Sequence, residues 1–152
     1  MKQVKKSVLL PYAAHEMYEL VTDVEAYPQF LPWCERVDVV ARDAGSVTAR
    51  LHVRFAGIPH TFTTRNDQQL DSAVHVALVD GPFSELDGRW RFLPLELPGE
   101  GGATPACKID FEMRYAFANS LLEATASPVF DRIADTFVDS FVRRAEQVHG
   151  VR

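Results

Sequence analysis

The spacing of hydrophobic residues changes along the chain, and each change predicts an element boundary. Residues 3–10 put Val4, Val8 and Leu10 on one side of an extended segment, which predicts a strand. From Pro11 the spacing lengthens. Met17, Leu20, Val21 and Val24 fall at i, i+3, i+4 and i+7, the stripe of an amphipathic helix that a first-turn proline can open. Tyr27-Pro28 closes it, because a residue before proline is pushed out of helical geometry.

From Glu35 the period is two. Val37, Val39 and Ala41 alternate with Arg36, Asp38 and Val40, and Asp43-Ala44-Gly45 turns the chain. Val47, Ala49, Leu51, Val53 and Phe55 then alternate with Thr48, Arg50, His52 and Arg54, a long strand with one polar side. Ala56-Gly57 makes a hairpin to residues 58–66, and 68–72 form a second turn. Residues 74–80 are apolar at nearly every position, which predicts a central strand. After Gly81-Pro82, residues Leu86, Gly88, Trp90 and Phe92 alternate with Asp87, Arg89 and Arg91. A flexible loop is expected over 98–105, then a last strand over 107–117 with Ile109, Phe111, Met113, Tyr115 and Phe117 on one face.

Beyond Asn119 the period returns to helical. Asn119 can cap the helix, and Ser120 with Glu123 has capping-box spacing. Phe130, Ile133, Ala134, Phe137 and Phe141 line one face, with Arg132, Asp135, Asp139, Arg143 and Glu146 opposite. Asp139 and Arg143 have ion-pair spacing, Pro128 should kink the helix by removing a donor, and Gly150 should end it. Strand, helix, about six strands and a long helix, without repeat or linker, predict one α+β domain over 1–150. Its antiparallel sheet would curl around the last helix. Periodicity does not distinguish a filled core from a hollow one, and on the residues alone the filled core is the default.

Composition narrows the function only slightly. The 152 residues carry a formal net charge of −5, which argues against a general nucleic-acid binder. Lys2, Lys5, Lys6, Arg50 and Arg54 read as solvated strand faces. No apolar run is long enough to span a membrane, and the basic N-terminus has too short an apolar run for a signal peptide, which predicts a cytoplasmic protein. Cys34 and Cys107, outside any CxxC motif, are expected as free thiols. His15-Glu16 lacks the second histidine of an HExxH zinc site, the five histidines show no metal-ligand spacing, and no serine sits in GxSxG. Gly99 to Gly102 lacks the end of a phosphate loop, and Asp110 with Glu112 lies among Lys108 and Arg114 on a solvated face. The expectation is therefore a protein without catalytic residues, resident metal or required cofactor.

One connection stands out. Tyr27-Pro28-Gln29-Phe30-Leu31-Pro32-Trp33 is too apolar for an ordinary loop and too rich in proline for a helix or strand. Together with Cys34, and with the later segment GPFSELDGRWRF from Gly81 to Phe92, it resembles the coenzyme-Q-binding branch of the START-like superfamily. That branch includes the bacterial ribosome-association toxins (RatA) and mitochondrial ubiquinone-binding proteins. The resemblance extends from Val4 to the C-terminal helix. It implies the START-like, Bet v 1-like helix-grip fold: a curved antiparallel sheet around the long helix, with an internal hydrophobic cavity.

The same resemblance implies a ligand, ubiquinone or a related isoprenoid quinone, bound by a quinone chaperone that supports respiration. The implied cavity and mouth comprise Phe30, Leu31 and Trp33; Leu51, Val53 and Phe55; His75; Trp90 and Phe92; Phe111, Met113 and Tyr115; and Phe130, Ile133, Phe137 and Phe141. The quinone head needs one or two donors, for which Tyr115, Trp90, His75 or an arginine could serve. Three other partners follow from the same likeness: the large ribosomal subunit, a transient contact with the inner-membrane surface, and a small antitoxin. A further alternative is a polyketide cyclase or dehydratase, which would need an acid or histidine inside the cavity.

Overall fold

The computed structural model describes residues 1–152. Strand β1 (Lys2–Leu10) leads into helix α1 (Ala14–Thr22) and a 3-10 turn over Val24–Gln29. Six strands follow: β2 (Cys34–Asp43), β3 (Ser46–Phe55), β4 (Ile58–Gln69), β5 (Ala73–Asp80), β6 (Phe83–Leu97) and β7 (Thr104–Phe117). Helix α2 (Ser120–His149) comes last. The strands form one antiparallel sheet in the order β1-β7-β6-β5-β4-β3-β2. This is the helix-grip architecture that the pattern and the resemblance predict.

Local chemistry sets the boundaries. Glu16 reaches back to accept the Ala13 N–H at 2.9 Å, so α1 begins at Ala14 rather than at Pro11. The 3-10 turn accommodates Pro28, and the Tyr27 hydroxyl donates to the Val21 carbonyl. Gly81 joins β5 to β6 at a φ of 149°, where a Cβ would lie 2.4 Å from that of Phe62. Only glycine lets the chain pass there. Asn119 caps α2 by accepting the Leu122 N–H at 2.9 Å, and Gly150, at a φ of 83°, ends the helix.

Register turns alternation into a core. The pairs Leu51↔Phe62, Phe92↔Ile109 and Leu10↔Cys107 align apolar residues in rows on the inner face. Phe130, Ala134, Val138, Phe141 and Ala145 of α2 are buried against these rows. The C-terminal end is tied to α1. The Tyr12 hydroxyl donates to the Gly150 carbonyl at 2.7 Å, and Arg152 donates to both carboxylate oxygens of Glu16 at 2.6 and 2.9 Å. Cys34 and Cys107 are free and buried, and burial pushes each thiol up to about 11.

Several expectations need correction. The hairpin of β6 and β7 is longer than the alternation indicates and confines its loop to 98–103. Cross-strand pairing continues through Pro94, Pro105 and the exposed Leu93, Leu95 and Leu97. Helix α2 holds Pro128 inside it and is helical on both sides of it. Arg143 donates to Ser140 Oγ at 3.4 Å rather than pairing with Asp139. Strand β5 is central in the sheet, but Val76 and Leu78 stay half-buried because no element packs fully over them.

Candidate functional site

The half-covered strand locates the site. The backbone of α2 approaches β7, β1 and β3 more closely than β4, β5 or β6. Between the helix and these middle strands lies a cavity of about 90 Å³. Of its 19 lining residues, 16 are hydrophobic; the others are Thr64, Asn66 and Gly88. The space would hold a ring-sized group.

Each wall follows from an element described above. Helix α2 contributes Phe130, Ile133, Ala134 and Phe137, which recur at helical spacing. Strands β5, β6 and β7 contribute their inner rows: Val74 and Val76; Leu86, Gly88 and Trp90; and Phe111 and Met113. The end of α1 and the turn after it contribute Val21, Val24, Tyr27 and Trp33. One wall is aromatic. The Trp90 ring centroid is 4.6 Å from Phe111 and 5.8 Å from Phe137, and Trp33 is 6.2 Å from Phe137. These geometries are tilted, as ring quadrupoles favour.

Eight of the sequence-predicted residues come together here: Trp33, Leu51, Trp90, Phe111, Met113, Phe130, Ile133 and Phe137. The other eight lie elsewhere. Phe141, fully buried, packs on Tyr27, Phe30 and Trp90 behind the cavity. Val53, Phe55 and Phe92 are core residues on the inner face of the sheet, Leu31 is a core residue in the connection before β2, and Phe30 meets Phe141 edge-on and lies under Arg144. His75 is on the opposite face of the sheet, where Nε2 lies 2.8 Å from Asp87. Its neighbours Val74 and Val76 take the inner positions, so parity excludes it.

Tyr115 faces inward, but its hydroxyl is already engaged. It donates to Asp131 Oδ1 at 2.5 Å, while Ser127 and Lys2 donate to Oδ2 of the same carboxylate. Burial alone would raise the Asp131 pKa. The Lys2 ammonium and the Tyr115 hydroxyl outweigh it and hold the carboxyl below its ordinary range. Burial, reinforced by Asp131, pushes the Tyr115 phenol well up. This cluster fastens α2 to β1 and β7 and leaves Tyr115 no free donor for a head group.

The polar groups inside the cavity are ones that sequence reasoning passed over. Thr64 and Asn66 on β4 are both buried, and Thr64 Oγ1 donates to Asn66 Oδ1 at 3.0 Å. The readable signal was parity: Phe62, Thr64 and Asn66 share one face of β4, as register against Leu51, Ala49 and Val47 requires. No lining residue is Asp, Glu, His, Lys, Arg, Ser or Cys. The one tyrosine, Tyr27, donates to a backbone carbonyl, and burial raises its pKa. The walls therefore offer apolar surface, one amide, two indole N–H groups and two engaged hydroxyls, with no carboxylate, imidazole, amine or thiol.

A larger depression of about 910 Å³ lies on the outer face of the sheet. It includes Lys5, His75, Arg89, Arg91, Asp110 and Glu112, several of them paired across strands, as Lys5 is with Glu112 at 3.2 Å. It suits water better than an apolar ligand.

Comparison with known proteins agrees with this geometry. Residues 10–142 match the family described as polyketide cyclase / dehydrase and lipid transport. The chain is 40% identical over 152 residues, all of this chain and 92% of the other, to the ribosome association toxin RatA of Escherichia coli K12. It is 29% identical to a mitochondrial coenzyme Q-binding protein homologue of Xenopus laevis, over 97% of this chain and 59% of that one. A solved START superfamily protein from Mycobacterium smegmatis shares the fold at a TM-score of 0.68, over 96% of this chain and 98% of its own, at 22% identity.

Proposed function

Because the chain belongs to the polyketide cyclase/dehydrase and lipid transport family, we propose that it binds an apolar small molecule between helix and sheet and does not transform it. The observation that carries this reading is the lining: 16 hydrophobic residues of 19, and no Asp, Glu, His, Lys, Ser or Cys among them. The ligand class proposed is an isoprenoid quinone. Its ring matches the size of the cavity, and the similarity to a coenzyme Q-binding protein points the same way. The tail would follow the lining toward Val21, Val24 and Trp33, gaining roughly 25 cal/mol for each Å² of apolar surface removed from water.

Organic extraction of the protein purified from its own cells, followed by mass spectrometry, tests this. A co-purifying quinone is expected. Recovery of none, with no binding of added quinone, would overturn the reading.

A second reading rests on a different observation, the 40% identity to a ribosome association toxin over the whole chain. On it, the protein binds the large ribosomal subunit and blocks its joining to the small one. Sedimentation of separated subunits with added protein at low and moderate salt should show co-migration with the large subunit and less joining. Unchanged joining without co-migration would remove it.

A further inference from the structure

We propose that Asn66 is the polar anchor of the cavity, donating its amide N–H to a carbonyl oxygen on the ring of an otherwise apolar ligand. This rests on the binding reading above and adds the orientation: the carbonyl-bearing head goes in, against β4.

The case is one of hydrogen-bond satisfaction. Asn66 is 7% exposed and Thr64 3%. The Thr64 hydroxyl spends its proton on Asn66 Oδ1 at 3.0 Å, which fixes the amide plane and occupies its acceptor. The amide nitrogen is left with two protons and no protein acceptor, and it belongs to a residue that lines the cavity. The nitrogen opens onto the cavity, where only water or a ligand can accept from it, and an apolar side chain of the same size would line the space without needing an acceptor. The donor is useful only if something in the cavity accepts from it. An amide N–H selects a neutral acceptor such as a ketone or quinone oxygen, since a carboxylate entering these apolar walls would remain uncompensated. Among the other lining groups with N–H or O–H, one is already engaged and two are not. Tyr27 donates to the Val21 carbonyl; the indole N–H groups of Trp33 and Trp90 have no protein acceptor, but unlike the Asn66 amide they are not held by a neighbouring hydrogen bond, and the Trp90→Phe arm below separates them.

The test uses two probes of the same shape: tetramethyl-1,4-benzoquinone and tetramethylbenzene, which differ by two carbonyl oxygens. Both are titrated as competitors of the neutral fluorophore N-phenyl-1-naphthylamine on the full chain, with circular dichroism as a check on folding. The wild type should favour the quinone by about tenfold. Asn66→Leu should bring the two affinities together, because the quinone loses its donor while the apolar wall gains surface. Trp90→Phe, which removes the indole N–H, should keep the preference. Thr64→Val frees the amide to rotate and should reduce the preference for the quinone over tetramethylbenzene; it carries the test if Asn66→Leu does not fold. A preference that survives Asn66→Leu, or that Trp90→Phe abolishes, overturns the anchor and leaves the binding reading intact. Wild type that binds neither probe overturns both.

Discussion

The two flanks of α2 are built differently. On the flank facing β1 and β7 the helix is fastened: Asp131 collects donors from Tyr115, Ser127 and Lys2, and Phe130 meets the Tyr115 ring edge-on at 4.6 Å. On the flank facing β4, β5 and β6 nothing polar crosses from helix to sheet, and the space between them is the cavity. The fastened flank resists closure on the open one. A helix free to settle would pack down onto Val76 and Asn66 and fill the gap, since interiors are normally close-packed. The cavity is therefore a product of attachment elsewhere, and the two flanks should respond differently to substitution.

The largest effect is expected in the aromatic cluster behind the cavity, at Phe141, which is fully buried against Tyr27, Phe30, Trp90 and Phe137. Phe141→Ala should cost about 3–5 kcal/mol in urea denaturation. Asp131→Ala addresses the fastened flank alone. It leaves the Tyr115 hydroxyl without its acceptor and should cost about 1–3 kcal/mol at neutral pH. The pH dependence has a definite sign. The folded-state pKa of Asp131 is depressed, so its stabilisation is complete above the ordinary carboxylate range and disappears as pH falls through the folded value. Wild type and Asp131→Ala should converge in stability in strong acid. A gap that widens there would contradict the assignment.

Val76→Phe tests the open flank. The larger side chain should occupy the cavity, raise stability by up to about 1–2 kcal/mol, and weaken apolar-ligand binding at least about tenfold. Denaturation and fluorophore displacement measure the two. Reduced stability with intact binding would mean that the gap lies elsewhere. The smallest effect is expected on the solvent side, where Arg143 reaches only Ser140. Arg143→Ala should change stability by less than about 0.5 kcal/mol and leave binding alone.

This asymmetry also explains what the sequence revealed and what it concealed. Period-two alternation identified the inner faces of β3 and β7, and helical spacing identified the stripe of α2, because burial imposes those periods. Parity says that Val53, Phe55 and Trp90 all point inward. It does not say that the helix covers the first two and leaves the third beside a gap, because the crossing path of α2 is set by residues distant in sequence, Asp131 and Lys2 among them. His75 was misplaced for another reason. Strand β5 is apolar on both faces, so its inner side could not be chosen until pairing with β4 and β6 fixed it. Thr64 and Asn66 looked like ordinary polar positions in a threonine-rich strand, and their burial depends on three neighbouring elements. The Tyr27–Trp33 stretch proved double in character: Leu31 is fully buried core, while Tyr27 and Trp33 border the cavity.

The pairing of β1 with β7 has a consequence for how the molecule is made. β1 is made before every other strand of the sheet, yet its only strand partner is the last to be made. The Tyr12–Gly150 hydrogen bond joins residues 138 positions apart. During synthesis the inner rows of β3 to β6 can pair with one another long before the helix that covers them exists. For that interval the nascent sheet exposes phenylalanines and a tryptophan on one face and an unpaired strand edge at β6, the conditions under which chains associate wrongly. Completion then requires closing long loops, which slows folding relative to a chain of local contacts. A chain of this topology depends on its final segment to become a protein at all, and truncation within α2 should yield aggregation rather than a smaller folded domain.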